Sequence, residues 1–206
     1  MKGRHALLTV LLSVVASSAS AQIVWDFDIL VTGDTPLGSD WATLTIADTA
    51  TDEVTMTLAH NATSTSPQFL TRLLLNLTTI PADLAASFVA PVLSIEWGDD
   101  AFSNVANLWD VDVMLETSNP QGRLYPGGST VWTMTGTGLD SQDFNTLSTM
   151  IDGVDPMFGL LQLQGTPGGD DSAKLTVVPE PASFAVLGLG LIALVRRRRG
   201  RPTRAA

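Results

Sequence analysis

The sequence predicts an all-β, antiparallel, sandwich-like domain with one short helix, followed by a C-terminal hydrophobic helix. Three observations predict it. Apolar and polar residues alternate at period two in run after run, as in WATLTIAD, where Leu44 and Ile46 oppose Thr43 and Thr45. Threonine fills these runs and lysine is nearly absent from them, a bias that suits a half-buried pleated surface better than an exposed helix. Finally, the runs are short and separated by turns bearing Gly, Pro and Asp, such as PGGS and TPGGDDS.

The elements follow in chain order. MKGRH carries Lys2 and Arg4, an apolar run spans Ala6 to Val15, and Ala19 and Ala21 precede Gln22. A basic start, an apolar core and small residues at −3 and −1 predict a secretory signal peptide over residues 1–21, cut before Gln22. Residues 22–177 then form one domain, long enough to bury a core without covalent staples. The absence of cysteine is therefore compatible with an oxidising compartment.

Strands are expected in IVWDFDILV, WATLTIAD and EVTMTLAH, the last two joined as a hairpin through Asp48 to Asp52. More are expected in QFLTRLLLN, VLSIEW, the segment from Trp109 to Leu115, STVWTMTG, FGLLQLQ and AKLTVV. Trp109, Val111, Val113 and Leu115 would share a core face, with Asp110 and Asp112 opposite them in solvent. The short helix is capped by Asp140 or Ser141 and carries Phe144, Leu147 and Ile151 at helical spacing.

The C-terminal segment, residues 178–206, is read separately. Ala182 to Val195 are fourteen uncharged residues, including Ala182, Phe184, Leu187, Leu189, Leu191, Ile192, Leu194 and Val195. As a helix they reach roughly 21 Å, short of a hydrocarbon core about 30 Å thick. Pro179 and Pro181 oppose an upstream extension of that helix. Arg196, Arg197, Arg198 and Arg199, with Arg201 and Arg204, follow at once and act as a stop-transfer signal on the cytoplasmic side. Snorkelling arginine stems and local thinning of the bilayer let so short a segment span the inner membrane.

Val178-Pro179-Glu180-Pro181, then an apolar helix rich in Leu, Gly and Ala, then a terminal arginine cluster resembles a PEP-CTERM sorting signal. The resemblance covers about the last thirty residues. It implies recognition at Pro179, Glu180 and Pro181 by exosortase, a membrane-embedded, cysteine transpeptidase-like enzyme of Gram-negative bacteria, followed by removal of the helix and basic tail. Two features depart from the pattern: the apolar run is short, and GRPTRAA extends beyond the four arginines. A lipid anchor on cysteine is excluded by composition, and a basic terminus argues against a GPI signal.

Between the two ends, three basic residues (Arg72, Arg123, Lys174) face twenty acidic ones, a formal charge of −17. Such a surface does not bind nucleic acid or anionic lipid by simple electrostatics. His60, the domain's one histidine, ends a strand pattern without a nucleophile-elbow motif and reads as a loop or surface residue. WGDDAFSN and GGDDS offer oxygen ligands of the kind calcium takes, at Asp99, Asp100, Asp170 and Asp171, but match no calcium-loop pattern. A solvated acidic face is the expected reading there, with calcium as the alternative. Trp109 and Trp132 lie in core patterns, which leaves Trp97, beside Gly98, as the candidate platform for stacking on a sugar.

These readings combine into an exported, non-enzymatic protein with no cofactor. The signal peptidase and Sec translocon handle its export and exosortase its sorting. The precursor is held in the inner membrane, then displayed at the cell surface or released. The association of exosortase systems with exopolysaccharide production implies a place in an extracellular matrix or biofilm. The alternatives are a secreted carbohydrate-binding module and, behind it, a glycoside hydrolase using a carboxylate pair.

Overall fold

The computed structural model describes residues 21–177, apart from 62, 65 and 66. The signal peptide expected from sequence, except its last residue, and the PEP residues, expected hydrophobic helix and arginine cluster lie outside them. No helix among the described residues is long and apolar enough to cross a membrane.

The domain is all-β and every strand pair is antiparallel. Its strands are β1 (Gln22–Phe27), β2 (Ile29–Gly33), β3 (Ala42–Ala50), β4 (Glu53–His60), β5 (Phe69–Leu75) and β6 (Ala85–Phe88). β7 (Val92–Asn104), β8 (Asn107–Leu115), β9 (Ser129–Thr135), β10 (Thr149–Met150), β11 (Gly159–Gln164) and β12 (Ser172–Thr176) complete the set. One sheet runs β1-β3-β4-β9-β6 and the other β10-β8-β5-β11-β12-β2, with β7 pairing along the other side of β8.

The alternation expected from sequence becomes the inner faces of these sheets. Trp25, Phe27, Leu44, Ile46, Met56, Leu58, Trp132 and Met134 come from the five-stranded sheet. They meet Leu73, Leu75, Val111, Val113, Leu115, Leu161, Leu163 and Leu175 from the seven-stranded one in a single core. Each such side chain, fully buried, contributes about 1.5–3 kcal/mol, so the domain holds together without disulfides.

Several expectations are corrected. IVWDFDILV is two strands, because the chain passes from one sheet to the other at Asp28. VLSIEW continues past Trp97 to Asn104 as one long hairpin strand, with a bulge at 98–101 where the register against β8 jumps from Trp97↔Val111 to Phe102↔Trp109. Trp109 is buried as expected, but it centres a smaller cluster with Leu74, Met157 and Leu160 rather than joining Val111 and Val113.

The short helix shrinks to one 3₁₀ turn, Ser141–Phe144, capped by Asp140 in a capping box with Asp143. Phe144 is buried, whereas Leu147 and Ile151 are about half exposed. Past Asn145 the backbone bonds elsewhere: Ser148 N–H donates to Met157, Thr149 and Met150 pair with β8, and Ile151 N–H donates to Ala106. Those tertiary partners replace the i−4 carbonyls a helix would have used.

The β7–β8 hairpin turns on Val105 and Ala106, both at positive φ (48° and 53°), as a two-residue turn of the primed type requires. A β-branched residue is seldom found there. Val105 packs against the Trp109 cluster, which offsets the strain.

Candidate functional site

The acidic residues are used as backbone staples. Asp110, expected in solvent, is buried and accepts the N–H of Leu77 (3.0 Å) on one oxygen and that of Asp100 (2.8 Å) on the other. It thereby ties the end of β5 to the bulge in β7. Asp112 is buried as well and takes a bidentate grip from Arg72. The expectation failed because the side of β8 that carries these aspartates is not free: neighbouring strands bring donors to it.

Asp34 accepts from the backbone of Asp170 and Asp171, both at 3.0 Å, and from the Thr166 hydroxyl. Thus the two calcium candidates in TPGGDDS present N–H groups inward to a carboxylate. Asp100 likewise turns its N–H to Asp110, and Asp99 lies exposed in the bulge. No three His, Cys, Asp or Glu side chains among the described residues converge as a metal site. The open cleft at the end of the five-stranded sheet includes Asp52, Asp83 and Thr137. Asp83 binds both the hydroxyl and the N–H of Thr137 there, which holds its carboxyl below the usual range. Glu116 is lowered in the same way by the N–H of Asn119, then by the hydroxyl and N–H of Ser118.

His60 is buried rather than at the surface. Its Nδ1 lies 3.0 Å from the Leu124 carbonyl and its Nε2 2.8 Å from Ser64 Oγ. A carbonyl only accepts, so Nδ1 carries the hydrogen and Nε2 accepts from the Ser64 hydroxyl. Ser64 in turn accepts from Gln68 Nε2, and Gln68 bridges to the backbone of Leu37 in both directions. Burial lowers the His60 pKa, opposed by the Leu124 hydrogen bond. A hydroxyl donating to an oriented neutral imidazole is how a nucleophile is activated, but both groups are shut away, at 1% and 7% exposure. No short motif pointed to Ser64 or Gln68: with His60 they are spaced four residues apart, but the contacts that fix the set, Gln68 to Leu37 and His60 to Leu124, span 31 and 64 residues.

Trp97 is the most exposed of the described tryptophans, at 36%, on β7 just before the bulge. The outer face of the five-stranded sheet has a different character. One row across β1, β3, β4 and β9 reads Val24, Thr45, Thr57, Val131. The next, reaching β6, reads Gln22, Ala47, Thr55, Thr133, Ser87. In a domain of charge −17, these two rows carry no charge.

The last strand leads to the sorting signal. β12 is an interior strand, paired with β11 on one side and β2 on the other. The Thr176 hydroxyl donates to the Gly159 carbonyl at 2.8 Å, and Val177 is 5% exposed within the main core. The family model for the PEP-CTERM protein-sorting motif matches residues 177–199. The chain carries a PEP-CTERM sorting motif. Its first residue is thus the last core residue of the folded domain. A PEP-CTERM motif marks an exported chain whose C-terminal tail is anchored in the membrane before processing, and it makes exosortase the processing partner. No curated protein and no solved structure matches the chain.

Proposed function

We propose that this is a non-enzymatic exported protein that exosortase cuts from its membrane tail, leaving the β domain at the cell surface or in an extracellular polysaccharide matrix. The observation that carries the reading is the continuity of β12 with the sorting motif: the described β domain lies ahead of the motif as one cargo domain. Two further features support it. Asp34, Asp83, Asp110, Asp112 and Glu116 are engaged in holding loops and strands, and the two uncharged rows of the five-stranded sheet, flanked by Asp26 and Glu53, offer a neutral polymer a strip without carboxylates.

Replacing Glu180 or Pro181 is expected to leave an uncut precursor in the inner membrane, read by fractionation and intact mass from native cells. Unchanged release and mass would overturn the proposal.

A second reading is a carbohydrate-binding module, favoured by the exposed indole of Trp97. Binding of the purified protein to host exopolysaccharide, lost in Trp97→Ala, would support it. Binding that survives this change would remove Trp97 from consideration.

A further inference from the structure

We propose that the end of the sandwich from which β12 emerges is a docking surface for the processing enzyme, so that the enzyme reads the folded domain together with the tail. The proposal rests on the exosortase reading above and goes beyond it by naming a surface on the domain.

The argument is one of reach. Val177 is held in the core, and β12 is fastened on both sides, so the exit point is fixed. Glu180 is three residues further on, at most about 11 Å of extended chain. The uncharged run begins at Ala182, within about 18 Å of Val177 on the same scale. A domain of this length has a radius of gyration of about 15 Å. The tether is therefore no longer than the body it carries, and an enzyme that closes on the PEP residues meets the adjoining folded surface.

Register identifies that surface. Thr176 pairs with Leu160 on β11 and with Ile29 on β2. Around the exit stand exposed Asp28, Ile29 at 37% exposure, and the partly buried Phe158 that precedes Gly159. An apolar spot beside a carboxylate fits an enzyme face that offers an apolar contact and a basic group. Contact made here adds to recognition of the motif without lengthening it.

The test is made in the full chain, in native cells. A flexible Gly-Ser insert of six or twelve residues between Val177 and Val178 leaves every described strand intact and separates the domain from the PEP residues. Pulse-chase with intact mass is expected to show processing slowed several-fold by the insert. Ile29→Glu should slow it in the same direction with an unchanged melting temperature of the released domain. Processing that is equally fast or faster with the insert would overturn the docking surface while leaving exosortase processing in place. A wild-type chain that is never cut would overturn both.

Discussion

Arg72 grips Asp112 from the neighbouring strand through two parallel hydrogen bonds, Nε to Oδ1 at 2.8 Å and Nη2 to Oδ2 at 2.7 Å. Bidentate pairs of this kind are among the stronger charge-assisted contacts. They also leave a costly orphan when one partner is removed. The side chains are 24% and 9% exposed, so the pair is shielded without being sealed.

Asp112→Ala should therefore cost about 2–3 kcal/mol, most of it from the unpaired guanidinium. Arg72→Met combined with Asp112→Leu should recover most of that loss. Urea unfolding of the three proteins decides the matter. A double variant no more stable than the single one would show that the pair contributes attraction beyond the removal of an orphan.

Asp110 joins two elements that sequence does not connect. Its carboxylate satisfies the N–H of Leu77 after β5 and that of Asp100 in the β7 bulge. Asp110→Ala strands both donors in partly buried surroundings, for an expected loss of about 2–4 kcal/mol. Amide exchange at Leu77 and Asp100 should accelerate together. Acceleration at one site alone would mean that the two loops are held independently.

Aspartates such as these mark the boundary of what sequence made legible. Period two identified the core of both sheets, since inward Leu, Val and Trp must alternate with outward Thr. It could not show that Asp110 and Asp112 are roofed by donors 33 and 40 residues away, because alternation distinguishes faces, not what covers them. The helix expected through Ile151 failed for a related reason: the spacing of Phe144, Leu147 and Ile151 is helical, yet β8 and Met157 compete for the same backbone groups. The PEP residues were legible from local order alone, since that signal is linear. That the strand in AKLTVV runs straight into them was legible too; its interior place was not, for β12 owes that to pairing with β2 far upstream.

His60 gives the domain a stability step near neutrality. Its folded pKa lies below the ordinary 6.5, mainly through burial. As pH falls below about 6.5 the unfolded chain takes up the proton first, so stability present above that value is lost on the way down. Asp83 and Glu116 act in a lower window. Their folded pKa values are depressed, so their contribution is present above the ordinary 3.8 and 4.5 and is lost as pH falls through the folded values. Melting temperature against pH should show the upper step in wild type and not in His60→Gln, with the lower one in both. Should the variant not fold, the single imidazole of the processed domain can be followed by NMR. A midpoint at or above 6.5 would sink the assignment.

The two uncharged rows of the five-stranded sheet give so acidic a domain a strip on which to hold a polymer. Elsewhere on the domain, approach means desolvating carboxylates, a cost that a neutral partner does not repay. The Val24, Thr45, Thr57 and Val131 row instead presents methyls and hydroxyls, with the two valines at 44% and 45% exposure. Glutamate at Thr57 and Val131 would extend the domain's own charge onto this patch. Both positions point away from the core, so the stability change should stay within about 1 kcal/mol. Retention in isolated extracellular matrix is expected to fall several-fold in Thr57→Glu/Val131→Glu, with export and processed mass as in wild type. Equal retention would remove this face from the matrix reading and leave the edge around Trp97 as the surface to test.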